Sequence, residues 1–101
     1  MANEATLEWL LETGGSYVWE DEIFAVTALD IELDDAGAQR LATLAGVEQI
    51  AINAKRLSFE GLRILAAIPE LASLVISECP LSEAQLEQLR ALGPEVDVIV
   101  D

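Results

Sequence analysis

The sequence predicts an α/β solenoid of about three 24-residue β-α repeats with parallel strands, preceded by a cap of one helix and a β-hairpin. Two observations predict it. Leu33, Leu57 and Leu81 stand 24 residues apart, and each is followed by a residue suited to cap a helix: Asp34, Ser58 and Ser82. The short apolar runs Ile50-Ala51-Ile52, Leu74-Val75-Ile76 and Val98-Ile99-Val100 keep the same spacing. Strand and helix therefore recur with one period, the pattern of stacked supersecondary units.

Along the chain, residues 3–12 read as an amphipathic helix, with Leu7, Leu10 and Leu11 on one face, Glu4, Glu8 and Glu12 on another, and Asn3 placed to cap it. Gly14-Gly15 ends it, because glycine takes the left-handed geometry with which helices close. Tyr17-Val18-Trp19, an acidic turn at Glu20-Asp21-Glu22 and a long arm from Ile23 to Ile31 read as a hairpin. Val26, Leu29 and Ile31 are assigned to the core. The chain is one domain, 1–101, divided into an N-terminal cap, 1–25, and repeats, 26–101.

The helices after the three caps align Ala38, Leu41 and Leu44 with Leu62, Leu65 and Ile68 and with Leu86, Leu89 and Leu92, a helical spacing. Gln85 after Ser82 completes a capping-box pattern. Gly46, Pro69 and Gly93-Pro94 close the helices. The run from Leu29 to Leu33 is four residues where Ile50 to Leu57 and Leu74 to Leu81 are seven, so the first unit reads as trimmed by three.

The segments Ile50 to Leu62 and Leu74 to Leu86, with Val47-Glu48-Gln49-Ile50 and Leu71-Ala72-Ser73-Leu74 before them, resemble leucine-rich repeats. The resemblance is to the short bacterial form with capped helices and a glycine near each helix start, as Gly37 and Gly61 stand here, and it spans Val26 to Val100. It implies a solenoid that binds protein. The competing architecture is a compact open α/β sheet, which also alternates short strands with helices.

Composition narrows the chemistry. At 52% hydrophobic residues the chain has the material for a core, while 19 acids against 5 bases give a net charge of -14. Residues 1–39 hold ten of the acids and no base. Nucleic acid and anionic membranes are therefore excluded as partners, and a basic protein surface is the complementary one. With no His and one cysteine, Cys79, the chain lacks the commonest general base, the parts of a Cys-His pair and those of a zinc site. Asp30, Glu32, Asp34 and Asp35 lack the glycine-centred spacing of a calcium loop, and Gly14-Gly15 follows a helix, unlike a phosphate loop. No catalytic residue, metal or cofactor is expected, so the chain reads as non-enzymatic. A single cysteine and the absence of a basic, apolar leader point to the cytoplasm.

Binding is the expected function. Strand alternation assigns Leu29, Ile31, Ile50, Ile52, Leu74, Ile76, Val98 and Val100 inward. The outward row then runs Asp30, Ala51, Val75, Ile99, from acidic to apolar, with Glu32 and Asn53 beside it. Tyr17 and Trp19 share one side of their strand: with Val18 inward they are exposed anchors beside Glu20, Asp21 and Glu22, and with Val18 outward they cap the core. The last strand, Val96 to Asp101, leaves an edge through which a monomer forms at most a weak homodimer. The expected function is a protein-protein interaction module. The alternative is a small acidic immunity protein or inhibitor covering a basic toxin or enzyme.

Overall fold

Ile50, Ile52 and Ala54 are buried along one strand while Gln49, Ala51 and Asn53 between them are not, and this alternation repeats in each neighbouring strand. Such a pattern makes a sheet with one packed face. The computed structural model describes residues 4–20 and 23–99. In order they form α1 (Glu4–Thr13), β1 (Ser16–Glu20), β2 (Ile23–Asp34), α2 (Asp35–Leu41), β3 (Gln49–Arg56), α3 (Phe59–Ala66), β4 (Ser73–Ser77), α4 (Glu83–Arg90) and β5 (Glu95–Ile99). The sheet has the order β1-β2-β3-β4-β5. β1 runs antiparallel to β2, and every other pair is parallel.

Each parallel neighbour is reached by a helical crossover. Right-handed crossovers between successive strands place their helices on the same side, and the buried strand residues meet the buried helix residues there in one core. Leu41, Leu62, Leu65 and Leu89 are fully buried against Val26, Ile50, Ile52, Leu74 and Ile76, each contributing about 1.5–3 kcal/mol by leaving water.

The leucine-rich-repeat solenoid is not what forms. The chain is a mixed α/β domain in which an antiparallel hairpin strand and four parallel strands make one open sheet that neither curls nor closes. Its radius of gyration is 12.4 Å, against about 13 Å for a compact domain of this length. The period also fails at the end: Val26 faces Ile50 and Ile50 faces Leu74, 24 residues apart, but Leu74 faces Val96, 22 apart. The competing compact α/β sheet is the better description. The immunity-protein reading likewise finds no support. It rested on acidity, and several acids are spent inside the fold: Asp34 and Asp35 on helix starts, and Glu32, Glu60 and Glu87 on cations.

Two register corrections follow. Val26 and Ala28, not Leu29 and Ile31, are the inward pair opposite Ile50 and Ile52. Val26 to Leu33 is seven residues, so the first unit is not trimmed; residues 29–31 form an irregular stretch before Glu32 rejoins opposite Asn53. Ile31 still packs on the core from there. In β5 the inward pair is Val96 and Val98, and Val100 lies outside the described residues.

The caps stand as expected. Asp34 accepts from the Gly37 N–H (2.8 Å), Ser58 from Gly61 (3.3 Å), and Ser82 from Gln85 (3.3 Å), with the Gln85 side chain returning to the Ser82 N–H (3.1 Å). α1 ends at Gly14, whose φ of 105° belongs to glycine. Leu10 is buried, whereas Leu11, expected beside it, is 53% exposed.

Candidate functional site: the uncovered sheet face

With α2, α3 and α4 on one side, the other face of the sheet carries none of the crossovers. Parallel sheets are usually covered on both faces. Here the sequence fits the bare face with small and polar residues: Thr27, Ala51, Val75 and Asp97 form one row across β2 to β5, and Ala25, Gln49, Ser73 and Glu95 form another. Ala25, Ala51, Ser73 and Val75 are half-buried by their neighbours, and Asp97 and Glu95 are exposed. A third row runs Glu32, Asn53, Ser77, Ile99.

The expected row of Asp30, Ala51, Val75 and Ile99 therefore does not exist. Ala51 and Val75 are neighbours, but their row continues to Thr27 and Asp97, while Ile99 belongs with Asn53 and Glu32. Asp30 is exposed in the irregular stretch of β2 and faces no strand residue. The gradient runs the other way: acid gathers at the β5 side, and the exposed Val18 and Ile23 make the β1 side apolar. The alternation of Phe24 and Val26 with Ala25 and Thr27 was the signal for this register, and the long arm from Ile23 concealed it by offering Leu29 and Ile31 as well.

Two polar candidates are already engaged. Asn53 accepts from the Lys55 N–H (2.9 Å) and donates to Glu78 (3.3 Å). Glu32 pairs with Arg56 (3.3 Å) and Lys55 (3.7 Å). The remaining cations are occupied too: Arg63 by Glu60, Arg90 by Glu87 (2.9 Å), and Arg40 by the face of Trp9 (5.0 Å to the ring centre). All five bases of the chain thus have internal partners, leaving the acids in excess as the net surface field.

Tyr17 and Trp19 lie on the core side of β1, opposite Val26 and Phe24, with Val18 outward. They cap the core only in part. Trp19 stacks on Phe24 (4.8 Å, 24°) and Tyr17 meets it edge-on (6.2 Å, 79°), yet they remain 63% and 37% exposed. Of the acidic turn, Glu20 ends β1, while Asp21 and Glu22 lie outside the described residues.

Asp35, in the first turn of α2, accepts from the Ser58 N–H (3.0 Å) and hydroxyl (2.7 Å), which hold its carboxyl below the usual range. This bond pair ties two helix starts together and is structural. A shallow depression of ≈ 340 Å³ lies beside it, lined by Trp9, Thr13, Ile31, Glu32, Leu33 and Asp34. Its carboxylates are the ones already committed to Lys55, Arg56 and the α2 cap. Among the described residues no group of three or more His, Cys, Asp or Glu is placed to hold a metal, and no helix is long and apolar enough to cross a membrane. Comparison with protein-family models, curated proteins and solved structures finds no match.

Proposed function

We infer that the chain is a non-enzymatic binding module whose uncovered sheet face receives a protein partner with a basic surface. The observation that carries this reading is the row Thr27, Ala51, Val75, Asp97: a flat, small-residue strip on a parallel sheet left bare on one side, acidic at one end. Apolar residues of the partner lie along Ala51 and Val75, and its cations face Glu95 and Asp97. The excess acid, including Glu8 and Glu12 of α1, adds a long-range field that speeds encounter with a cationic surface and is screened by salt.

The test is affinity capture from cell extract with three baits: the native chain, Val75→Glu and Asp97→Lys. A basic protein held by the native bait, lost with Val75→Glu and weakened both by Asp97→Lys and by rising salt, supports the reading. Capture that Val75→Glu leaves unchanged, or an acidic captured protein, overturns it.

A further inference from the structure

Apart from Glu20 at its end, β1 has the composition of an interior strand in an edge position. Residues buried on both faces of a sheet read as a continuous apolar run, whereas edge strands are ordinarily blunted by charge, proline or a bulge. From Ser16 to Trp19 there is no charge and no proline, and Tyr17, Val18 and Trp19 are all exposed, two on one side of the sheet and one on the other. β1 ends the strand order, so among the described residues no strand meets its outer backbone donors and acceptors. The opposite edge is different: β5 carries Glu95 and Asp97, and like charges placed across a strand pair oppose pairing.

We propose that the β1 edge pairs antiparallel with β1 of a second copy, on a twofold axis through Val18. The sequence is self-complementary in that register. Val18 faces the partner's Val18, Tyr17 faces the partner's Trp19, and Ser16 faces the partner's Glu20, so no acid is set against an acid within the paired segment. Trp19 is already held flat on Phe24, which lowers the entropy lost when the two aromatic pairs close. A twofold axis normal to the sheet keeps both helix layers on one side and joins the two uncovered faces into one continuous sheet of ten strands.

A second copy, not an unrelated strand, is the occupant because both sides of β1 match their own reverse. The contact is nevertheless small. The exposed parts of Tyr17, Val18 and Trp19 amount to roughly half of the ~800 Å² per partner in a standard interface, and each copy brings a charge of -14. Association is therefore weak in dilute buffer and strengthens with salt, the reverse of binding to a basic partner.

The experiment is sedimentation of the whole chain, alone, up to about 1 mM at low salt and at about 0.5 M salt. The expected result is a mass rising with concentration from 10.9 kDa toward twice that value, further at high salt. Val18→Lys lowers the net negative charge and so relaxes general repulsion, yet it sets two cations on the twofold axis and abolishes the dimer. Asp97→Lys makes a larger charge change of the same sign on β5 and leaves the dimer intact. In a Cys79→Ser background, Val18→Cys forms a disulfide-linked dimer on air oxidation, while Asp97→Cys does not. A monomer under all conditions, a dimer that survives Val18→Lys, or one abolished only by Asp97→Lys overturns the proposal. The chain is tested without partners, so the result is independent of the binding reading above.

Discussion

Replacing Gly61 with alanine is expected to destabilise the protein, although alanine is the better helix former, and to become neutral or stabilising once Asp35 is removed. Gly61 sits in the first turn of α3, where alanine gains up to about 1 kcal/mol over glycine. A Cβ at this position, however, falls on the Asp35 carboxylate and within 3.0 Å of the Leu57 side chain. Leu57 Cδ2 is the end of a flexible chain and can shift. The carboxylate cannot move without loosening its 2.7 Å and 3.0 Å bonds to Ser58. Hydrogen bonds to a charged group are worth about 1.5–3 kcal/mol each, and because Ser58 is exposed and Asp35 only half-buried the joint loss is put at roughly 2 kcal/mol, well below their sum. The net expectation is a loss of about 1–2 kcal/mol for Gly61→Ala in the native background.

Asp35→Ala alone costs about 2 kcal/mol by the same bonds, and Gly61→Ala added to it costs nothing or recovers up to about 1 kcal/mol. The coupling between the two sites is then about 2 kcal/mol, measurable by urea unfolding of the four proteins as a double-mutant cycle. Gly61→Ala shifting the midpoint equally in both backgrounds would refute the assignment of this glycine to the approach of Asp35.

Three further outcomes follow from the same geometry. The Asp35 carboxyl titrates below the ordinary value because Ser58 donates twice to its charged form; its stabilisation is complete above about pH 4 and lost as pH falls through the depressed folded value, so the stability gap between native and Asp35→Ala proteins closes in acid. Glu70 occupies the same turn as Gly46 and Gly93 but holds a φ of 70° with a side chain attached, and Glu70→Gly stabilises by about 0.5–1 kcal/mol in thermal unfolding. Leu74→Ala, on the packed face, costs about 2–5 kcal/mol, while Val75→Ala beside it costs under about 1 kcal/mol; equal losses would contradict the assignment of sheet faces.

The local grammar of the chain was legible because it is written in neighbouring residues. Asp34, Ser58 and Ser82 cap their helices, Gln85 closes its box, and Ile50, Ile52, Leu74 and Ile76 point inward. What failed was extrapolation of the period. A 24-residue spacing shows that similar units follow one another, and it does not say whether their sheet bends into a solenoid or stays open beside an antiparallel hairpin. β2 misled for a specific reason: Val26, Ala28, Leu29, Ile31 and Leu33 offer two overlapping alternations, and only pairing with β3 selects the first. That slip of register exchanged Thr27 for Asp30, and at the other end a two-residue shortening before β5 exchanged Asp97 for Ile99. Since successive strand residues face opposite sides, such errors move a candidate contact across the sheet or out of its row. Exposure of Tyr17 and Trp19 was illegible for another reason: they face the core side and still protrude, a combination strand periodicity alone does not encode.

The glycines near the helix starts show how a familiar pattern arises from packing. Gly37 and Gly61 occupy equivalent positions, and in each case a Cβ would collide, with Leu33 at the first and with the Asp35 carboxylate at the second. The equivalent residue of α4 is Gln85, which has room for its side chain because the α3 residue corresponding to Asp35 is Phe59, with no carboxylate to reach across it, and the side chain turns back to cap Ser82 instead. The same logic of position governs the two edges of the sheet. β5 carries two acids within the strand, whereas β1 carries one, Glu20, at its end, so in the proposed dimer the excess charge on the rest of the chain is the main opposition to two β1 edges meeting at low salt. Charge thus divides in this molecule: bound in caps it fixes the helix starts, and left over it is the field through which the proposed partner and the proposed β1 dimer are expected to respond to salt in opposite directions.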